Sequence, residues 1–288
     1  MTAVPGPTVA SVLDQATRRL REAGVSDPRR DAATLLGEVL GVDRGGVLAR
    51  KPEPLSPGDA ARFDAMVVRR ARRMPLQHIL GTAEFRGREF EVTPDVLIPR
   101  PETEDLVQAV LDVDLGPNAR IADLGTGSGC IAVSLALGRP GWRVLAIDRS
   151  AEALAVASRN ALKHGVSERV RFVEQDFAAV PDVERGRCDA VVSNPPYVTE
   201  AEWRRLQPEV RDHEPRTALV PGPTGNEAYE AVARAARAML RSGGLLALEL
   251  GWRSEEPVRE IVGAEGFREI VTRPDLQGIP RVLTARTM

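Results

Sequence analysis

Hydrophobic positions change period twice along the chain. From Val9 to about residue 80 they recur at helical spacing: Val9, Val12, Leu13, Ala16 and Leu20 share one face, and Gly24 supplies a stop. Ser26-Asp27-Pro28 caps a second helix with proline at its first position, and Ala32, Leu35, Leu36, Val39 and Leu40 continue the stripe. Lys51–Gly58 reads as a Pro- and Gly-rich linker, and a further helix from Asp59 carries Phe63, Met66 and Val67. Between residues 81 and 97 the period drops to two. Two short β-like runs around Gly87, within Glu84–Val92, predict a hairpin. Pro101 then opens a helix bearing Leu106, Val107, Val110 and Leu111.

Beyond Arg120, short apolar runs alternate with helical patterns. The runs Ile121–Leu124, Arg143–Ile147, Val170–Val173, Asp189–Ser193 and Leu245–Leu250 predict strands. Helices are expected at Ser128–Leu137, at Ala151–His164, after Asn226 to near Arg241, and at Glu255–Val262; Glu269–Thr272 and Val282–Ala285 close the chain as strands. This alternation is the signature of an α/β domain, a mostly parallel sheet with helices on both faces and right-handed crossovers. The expected organisation is a helical domain over 1–80, a hairpin linker over 81–97 and an α/β domain over 98–288.

Composition narrows the function classes. At 288 residues two domains are expected, and 43% hydrophobic with 28% charged residues describes an ordinary globular chain. A net charge of −2 argues against a nucleic-acid binder held by bulk electrostatics. Residues 1–80 nevertheless hold 13 basic against 9 acidic residues, with Arg69, Arg70, Arg72 and Arg73 clustered. That asymmetry suggests a partner of acidic or phosphate character; an arginine-rich solvated face is the plainer reading. Cys130 and Cys188 are too far apart for a local metal knuckle and read as buried filler, and no metal is expected. No signal pattern and no apolar run of about 18 residues is present, so a cytoplasmic protein without a membrane partner is expected.

Candidate chemistry gathers at strand ends, where open α/β sheets bind ligands. The strand ending at Ser193 is stopped by Asn194-Pro195-Pro196-Tyr197. Two prolines end ladder pairing and hold the preceding residues extended. The resulting lip offers a carboxamide, proline carbonyls and an aromatic ring, a set able to grip an –NH2 group attached to an sp2 atom. Its bland alternative is a proline turn closing a strand. Asp123-Leu124-Gly125-Thr126-Gly127-Ser128-Gly129 follows the first strand and opens a helix, but Cys130 stands where a dinucleotide fingerprint needs glycine. Asp148 ends the second strand and suits a ribose diol, while Asp176-Phe177 ends the third and suits an adenine amino group and its ring face. Together these predict an adenosyl site without phosphate contacts, hence S-adenosylmethionine. The cofactor set is Asp123, Gly125, Thr126, Gly127, Ser128, Gly129, Asp148, Asp176, Phe177 and Asn194.

These motifs resemble those of class I S-adenosylmethionine-dependent methyltransferases that modify planar amino groups. With Pro75-Leu76-Gln77-His78-Ile79-Leu80-Gly81, Glu84-Phe85, Ile98-Pro99-Arg100-Pro101-Glu102-Thr103-Glu104, Glu214-Pro215 and Asp275-Leu276-Gln277-Gly278, the chain closely resembles the HemK/PrmC family of release factor glutamine methyltransferases. The resemblance runs from about Pro75 to the end; residues 1–74 match in helical character. It implies a Rossmann-like methyltransferase fold and an N-terminal helical domain that helps engage a peptide chain release factor. It also implies methylation of the glutamine in that factor's Gly-Gly-Gln loop. Phe177 stands where some relatives carry tryptophan.

On this reading Asn194 and Pro195 accept the two substrate N–H bonds, Pro196 and Tyr197 complete the substrate site, and Tyr197 stacks on the amide plane. A monomer is the expected state, with no direct nucleic-acid partner. A ribosomal-protein glutamine methyltransferase, an adenine-N6 methyltransferase on nucleic acid and a non-catalytic nucleoside-binding adaptor are the alternatives.

Overall fold

The computed structural model describes residues 6–177, 179 and 184–288. The chain divides into two compact units, residues 1–81 with 207–213, and residues 82–206 with 214–288.

The first unit is built from α1 (Val9–Glu22), α2 (Pro28–Leu40), α3 (Arg44–Ala49), α4 (Pro57–Ala71) and α5 (Leu76–Leu80). The predicted stripes are its core: Leu13, Leu20, Leu35, Leu36 and Phe63 are buried together. Asp27 caps α2 through the Arg30 amide, with Pro28 in the first turn. The stretch read as a linker begins after α3 and ends at Ser56, whose hydroxyl caps α4 two residues earlier than expected. It is pinned on the way, since the Leu55 and Val9 amides bond Pro7 and Glu53 carbonyls. The arginine cluster is not a solvated face throughout. Arg70 is buried and donates to Asp31 at 2.7 Å and to Glu209 at 2.9 Å, and Arg73 grips both oxygens of Glu209. Glu209 lies on the one-turn helix Pro208–Arg211, within the segment that this unit takes from later in the chain.

The second unit opens with a hairpin, β1 (Thr82–Phe85) and β2 (Arg88–Glu91). Both loop residues, Arg86 and Gly87, have positive φ, as a two-residue primed turn requires. The hairpin is no free linker. Phe85 and Phe90 meet edge to face at 5.9 Å and are fully buried in the unit's core with Leu106 and Val110.

The main sheet contains β3 (Arg120–Leu124), β4 (Arg143–Asp148), β5 (Val170–Glu174), β6 (Cys188–Ser193), β7 (Leu240–Glu249), β8 (Arg268–Pro274) and β9 (Pro280–Arg286). Their order is β5-β4-β3-β6-β7-β9-β8, parallel through β7, with β9 and β8 added antiparallel. The helices are α6 (Glu102–Leu111), α7 (Cys130–Gly138), α8 (Ala151–Lys163), α9 (Glu200–Trp203), α10 (Pro208–Arg211, already placed with the first unit), α11 (Glu227–Met239) and α12 (Glu255–Ala264). Alternate strand residues enter opposite cores. Ile121, Val144, Val192 and Ala247 pack with α6 and α7, whereas Ala122, Leu145, Val191 and Leu246 pack with α11 and α12. Burial on both faces is why the strands read as unbroken apolar runs. Strand order reverses between β3 and β6, so their carboxyl ends diverge and leave a crevice there. α7 begins two residues later than expected, because Gly125, Gly127 and Gly129 all hold positive φ and keep the loop open to its end. β7 begins at Leu240 instead of Leu245.

Candidate active site

A cavity of about 420 Å³ opens at these strand ends, a volume in the range of small-molecule sites. Gly125 and Gly127 line it after β3, Asp148 after β4, Asp176 and Phe177 after β5, and Asn194 and Pro196 after β6. Residues 94–97 and 215–221 supply further wall, to which the sequence patterns assigned no ligand role. An ion pair fastens these two stretches: Glu214 accepts from Arg100 at 2.6 Å and from the Ile98 amide at 3.2 Å. Arg100 thereby gives the Ile-Pro-Arg-Pro run a structural task.

The glycine loop is braced from behind. Asp123 is fully buried and accepts from the Thr126 hydroxyl at 2.6 Å and the Ala132 amide at 3.2 Å. Burial pushes its carboxyl up to about 7, against the pull of those two donors. Asp123, Thr126, Ser128 and Gly129, all expected to touch the cofactor, are not among the residues lining the cavity. Thr126 and Ser128 are buried, and a Cβ on Gly129 would lie 2.9 Å from that of Ala157, so this glycine serves helix packing. Among the described residues its buried Oδ1 has no hydrogen-bond partner. Asp148 lines the cavity while accepting from Gly127 and Ser150 amides at 2.9 and 3.0 Å, which orients the carboxylate and leaves lone pairs for a diol. Phe177 sits beside Gly125, where a Cβ would be 3.9 Å from its ring.

Asn160 was missed in the sequence. It is fully buried on α8, accepts from the Glu91 amide at 2.7 Å, and donates to the Glu91 and Ser128 carbonyls at 3.0 and 2.9 Å. One side chain thus ties the hairpin to the glycine loop. A single asparagine inside a helical pattern carries no motif, so no local signal marked it.

At the lip, Ser193 bonds the Leu124 carbonyl at 2.6 Å, joining the ends of β6 and β3. Pro195 and Tyr197 are not among the cavity-lining residues, so the lip presents Asn194 and Pro196 there. The Tyr197 ring is seated against Gly251, where a Cβ would approach it to 2.6 Å. Its hydroxyl donates to Glu249 at 3.4 Å. Glu249 also accepts from Thr103 at 2.6 Å, and Thr103 accepts from Asn194 Nδ2 at 3.2 Å. Burial pushes Glu249 up to about 7, with the Thr103 bond opposing. Both cysteine thiols are pushed up to about 12 by burial, which suits inert filler. Among the described residues no three His, Cys, Asp or Glu side chains are grouped to hold a metal ion, and no helix is long and apolar enough to cross a membrane.

Comparison with known proteins places this architecture. Residues 11–81 match the PrmC N-terminal domain and residues 103–208 the methyltransferase small domain. Release factor glutamine methyltransferase from Cereibacter sphaeroides is 45% identical, over 96% of this chain and 98% of its own. The chain belongs to the release factor glutamine methyltransferase family. Family proteins so named from Chlorobaculum tepidum and Moorella thermoacetica are 43% and 44% identical, over 96% of this chain and 96% and 98% of theirs. Among solved structures, the hMettl16 catalytic domain, in complex with the MAT2A 3′UTR hairpin 6, aligns with a TM-score of 0.56 at 18% identity, over 81% of this chain and 83% of that one. A methyltransferase from Pyrococcus furiosus gives 0.54 at 19%, over 76% and 98%. At such identity the likeness is one of fold: the α/β arrangement expected from the alternating pattern, in the methyltransferase form that the resemblance implied.

Proposed function

We propose that this protein transfers a methyl group from S-adenosylmethionine to the side-chain amide nitrogen of the glutamine in the Gly-Gly-Gln loop of a peptide chain release factor. The observation that carries the reading is identity above 40%, across nearly the whole chain, to proteins named for that activity, with Asn194 on the wall of the strand-end cavity. The cavity's donors and acceptors fit the cofactor. Gly125 and Gly127 let it approach the backbone, Asp148 accepts a ribose diol, and Asp176 and Phe177 take the adenine.

The bound cofactor supplies an electrophilic sulfonium methyl. The protein's work is then alignment, because an amide nitrogen shares its lone pair with the carbonyl and is a poor nucleophile. Asn194 Oδ1 and the Pro195 carbonyl accept the two N–H bonds of the substrate amide. Both bonds strengthen as positive charge develops on nitrogen, so they favour the transition state over the ground state. Holding the reactants in line contributes several kcal/mol more, up to roughly 7–11 in ideal intramolecular models. Tyr197 flanks the amide plane, and Pro196 keeps the lip rigid. No base is needed early, since the alkylated nitrogen becomes strongly acidic. The helical domain, residues 1–80 with the hairpin beyond, is assigned to engaging the release factor.

Label transfer tests the reading. Methyl-labelled cofactor incubated with this protein and a purified release factor should place label in the peptide bearing Gly-Gly-Gln, and a Gln→Asn change there should abolish it. Label entering ribosomal protein or nucleic acid instead would overturn the assignment.

A further inference from the structure

The shape of Asn194 does not decide which end of its amide faces the cavity, because –NH2 and C=O are nearly isosteric. Only the carbonyl end can accept the N–H bonds of a substrate amide. The surroundings settle the orientation. Thr103, in the first turn of α6, has one hydroxyl proton, and Glu249 takes it at 2.6 Å. Toward Asn194 the same oxygen can therefore only accept, and it accepts from Nδ2 at 3.2 Å. Thr103 and Glu249 are each 2% exposed, so the bond between them is shielded from exchange with water. The second oxygen of Glu249 receives the Tyr197 hydroxyl at 3.4 Å. One buried carboxyl thus reaches both polar side chains of the Asn-Pro-Pro-Tyr lip.

We infer that Thr103 and Glu249 are positioning residues for methyl transfer, fixing Asn194 with its –NH2 inward and its carbonyl oxygen toward the substrate amide. The inference rests on the reaction proposed above. Neither residue meets the reacting atoms. Once ionised, as it is above about pH 7, Glu249 is acceptor-only, so it holds the Thr103 proton and forbids the inverted amide. A neutral group in its place can donate to Thr103, and the Thr103 proton is then free to turn to Asn194 Oδ1, which flips the amide and points N–H at N–H. The Thr of the Ile-Pro-Arg-Pro-Glu-Thr run would then serve the lip through a single proton.

The test compares wild type, Thr103→Val, Thr103→Ser and Glu249→Gln for kcat, for KM toward the release factor, and for cofactor affinity by equilibrium titration. Thr103→Val keeps the shape and loses the hydroxyl; its kcat is expected to fall at least about tenfold, by analogy with losing a transition-state hydrogen bond. KM and cofactor affinity should stay within about threefold, since uniform binding is untouched. Thr103→Ser restores the hydroxyl and should recover most of the lost rate, a rescue that a packing role would not produce. Should Thr103→Val fail to fold, Glu249→Gln, which keeps the volume, carries the same expectation of reduced kcat at unchanged cofactor affinity. Wild-type kcat in either variant, or Thr103→Ser as slow as Thr103→Val, overturns the positioning role. Wild-type protein that methylates no glutamine sinks the underlying reaction instead, so the two failures are distinguishable.

Discussion

Glu249→Gln makes a second, opposite-signed prediction, on stability. Glu249 is buried at the end of β7, and burial pushes its carboxyl from the usual 4.5 to about 7, with Glu102 adding to the rise and Thr103, Arg281 and Tyr197 pulling against it. A carboxyl that binds its proton more tightly in the native chain favours folding while the proton is present. That contribution is whole below about pH 4.5, is lost as pH rises to about 7, and changes no further above that. The rise in proton affinity corresponds to roughly 3 kcal/mol, at about 1.4 kcal/mol for each tenfold change. Glutamine has the same size, can accept from Thr103, and never ionises. Stability of the variant relative to wild type should therefore increase by roughly 3 kcal/mol between about pH 5 and pH 8. Asp123, also pushed up to about 7, is present in both proteins and cancels. Urea unfolding of both proteins across this range measures the difference. Parallel pH curves would refute the reasoning, because they would mean that Glu249 is solvated enough to ionise freely. A variant more stable at high pH and slower in turnover would show why an expensive buried acid is kept at this position.

Other perturbations follow from single contacts. Asn194→Ala should lower kcat by about two to three orders of magnitude, the cost of an oxyanion-hole-type donor or acceptor, with cofactor affinity little changed in a titration. Asn160→Ala leaves the Glu91 amide and the Glu91 and Ser128 carbonyls without their partner. It should cost about 2–4 kcal/mol by urea unfolding and weaken cofactor binding through the loosened glycine loop. Arg70→Met strands the buried carboxylate of Asp31, while Glu209 keeps Arg73, and should destabilise the helical unit by about 3–5 kcal/mol, read as lost hydrogen-exchange protection in α2 and α4.

The sheet was legible because strands buried on both faces leave continuous apolar runs, and crossover helices separate them at regular distance. The antiparallel β8 and β9 were visible as strands, but their direction was not, since direction is set by pairing with β7. The hairpin was legible, and its place was not: Phe85 and Phe90 alternate as any half-buried strand does, and only the fold shows them inside the catalytic unit's core. A similar limit applies at the site. The glycine loop announces that a ligand comes near, yet its polar side chains turn inward, so Asp123, Thr126 and Ser128 brace the loop while Gly125 and Gly127 line the cavity. Thr103 and Glu249 lie 146 positions apart in the chain, and no spacing rule joins them. Arg70 read as part of a basic face because its partners, Asp31 and Glu209, are 39 and 139 positions away.

The most direct measurement is of the bond that is made. A release factor treated with this protein and methyl-labelled cofactor, digested and then hydrolysed in acid, should yield labelled methylamine from the Gly-Gly-Gln peptide, because cleavage of a methylated side-chain amide releases its nitrogen with the methyl attached. Label retained on the peptide's amino acids after that hydrolysis, or a peptide carrying no label, would contradict the account.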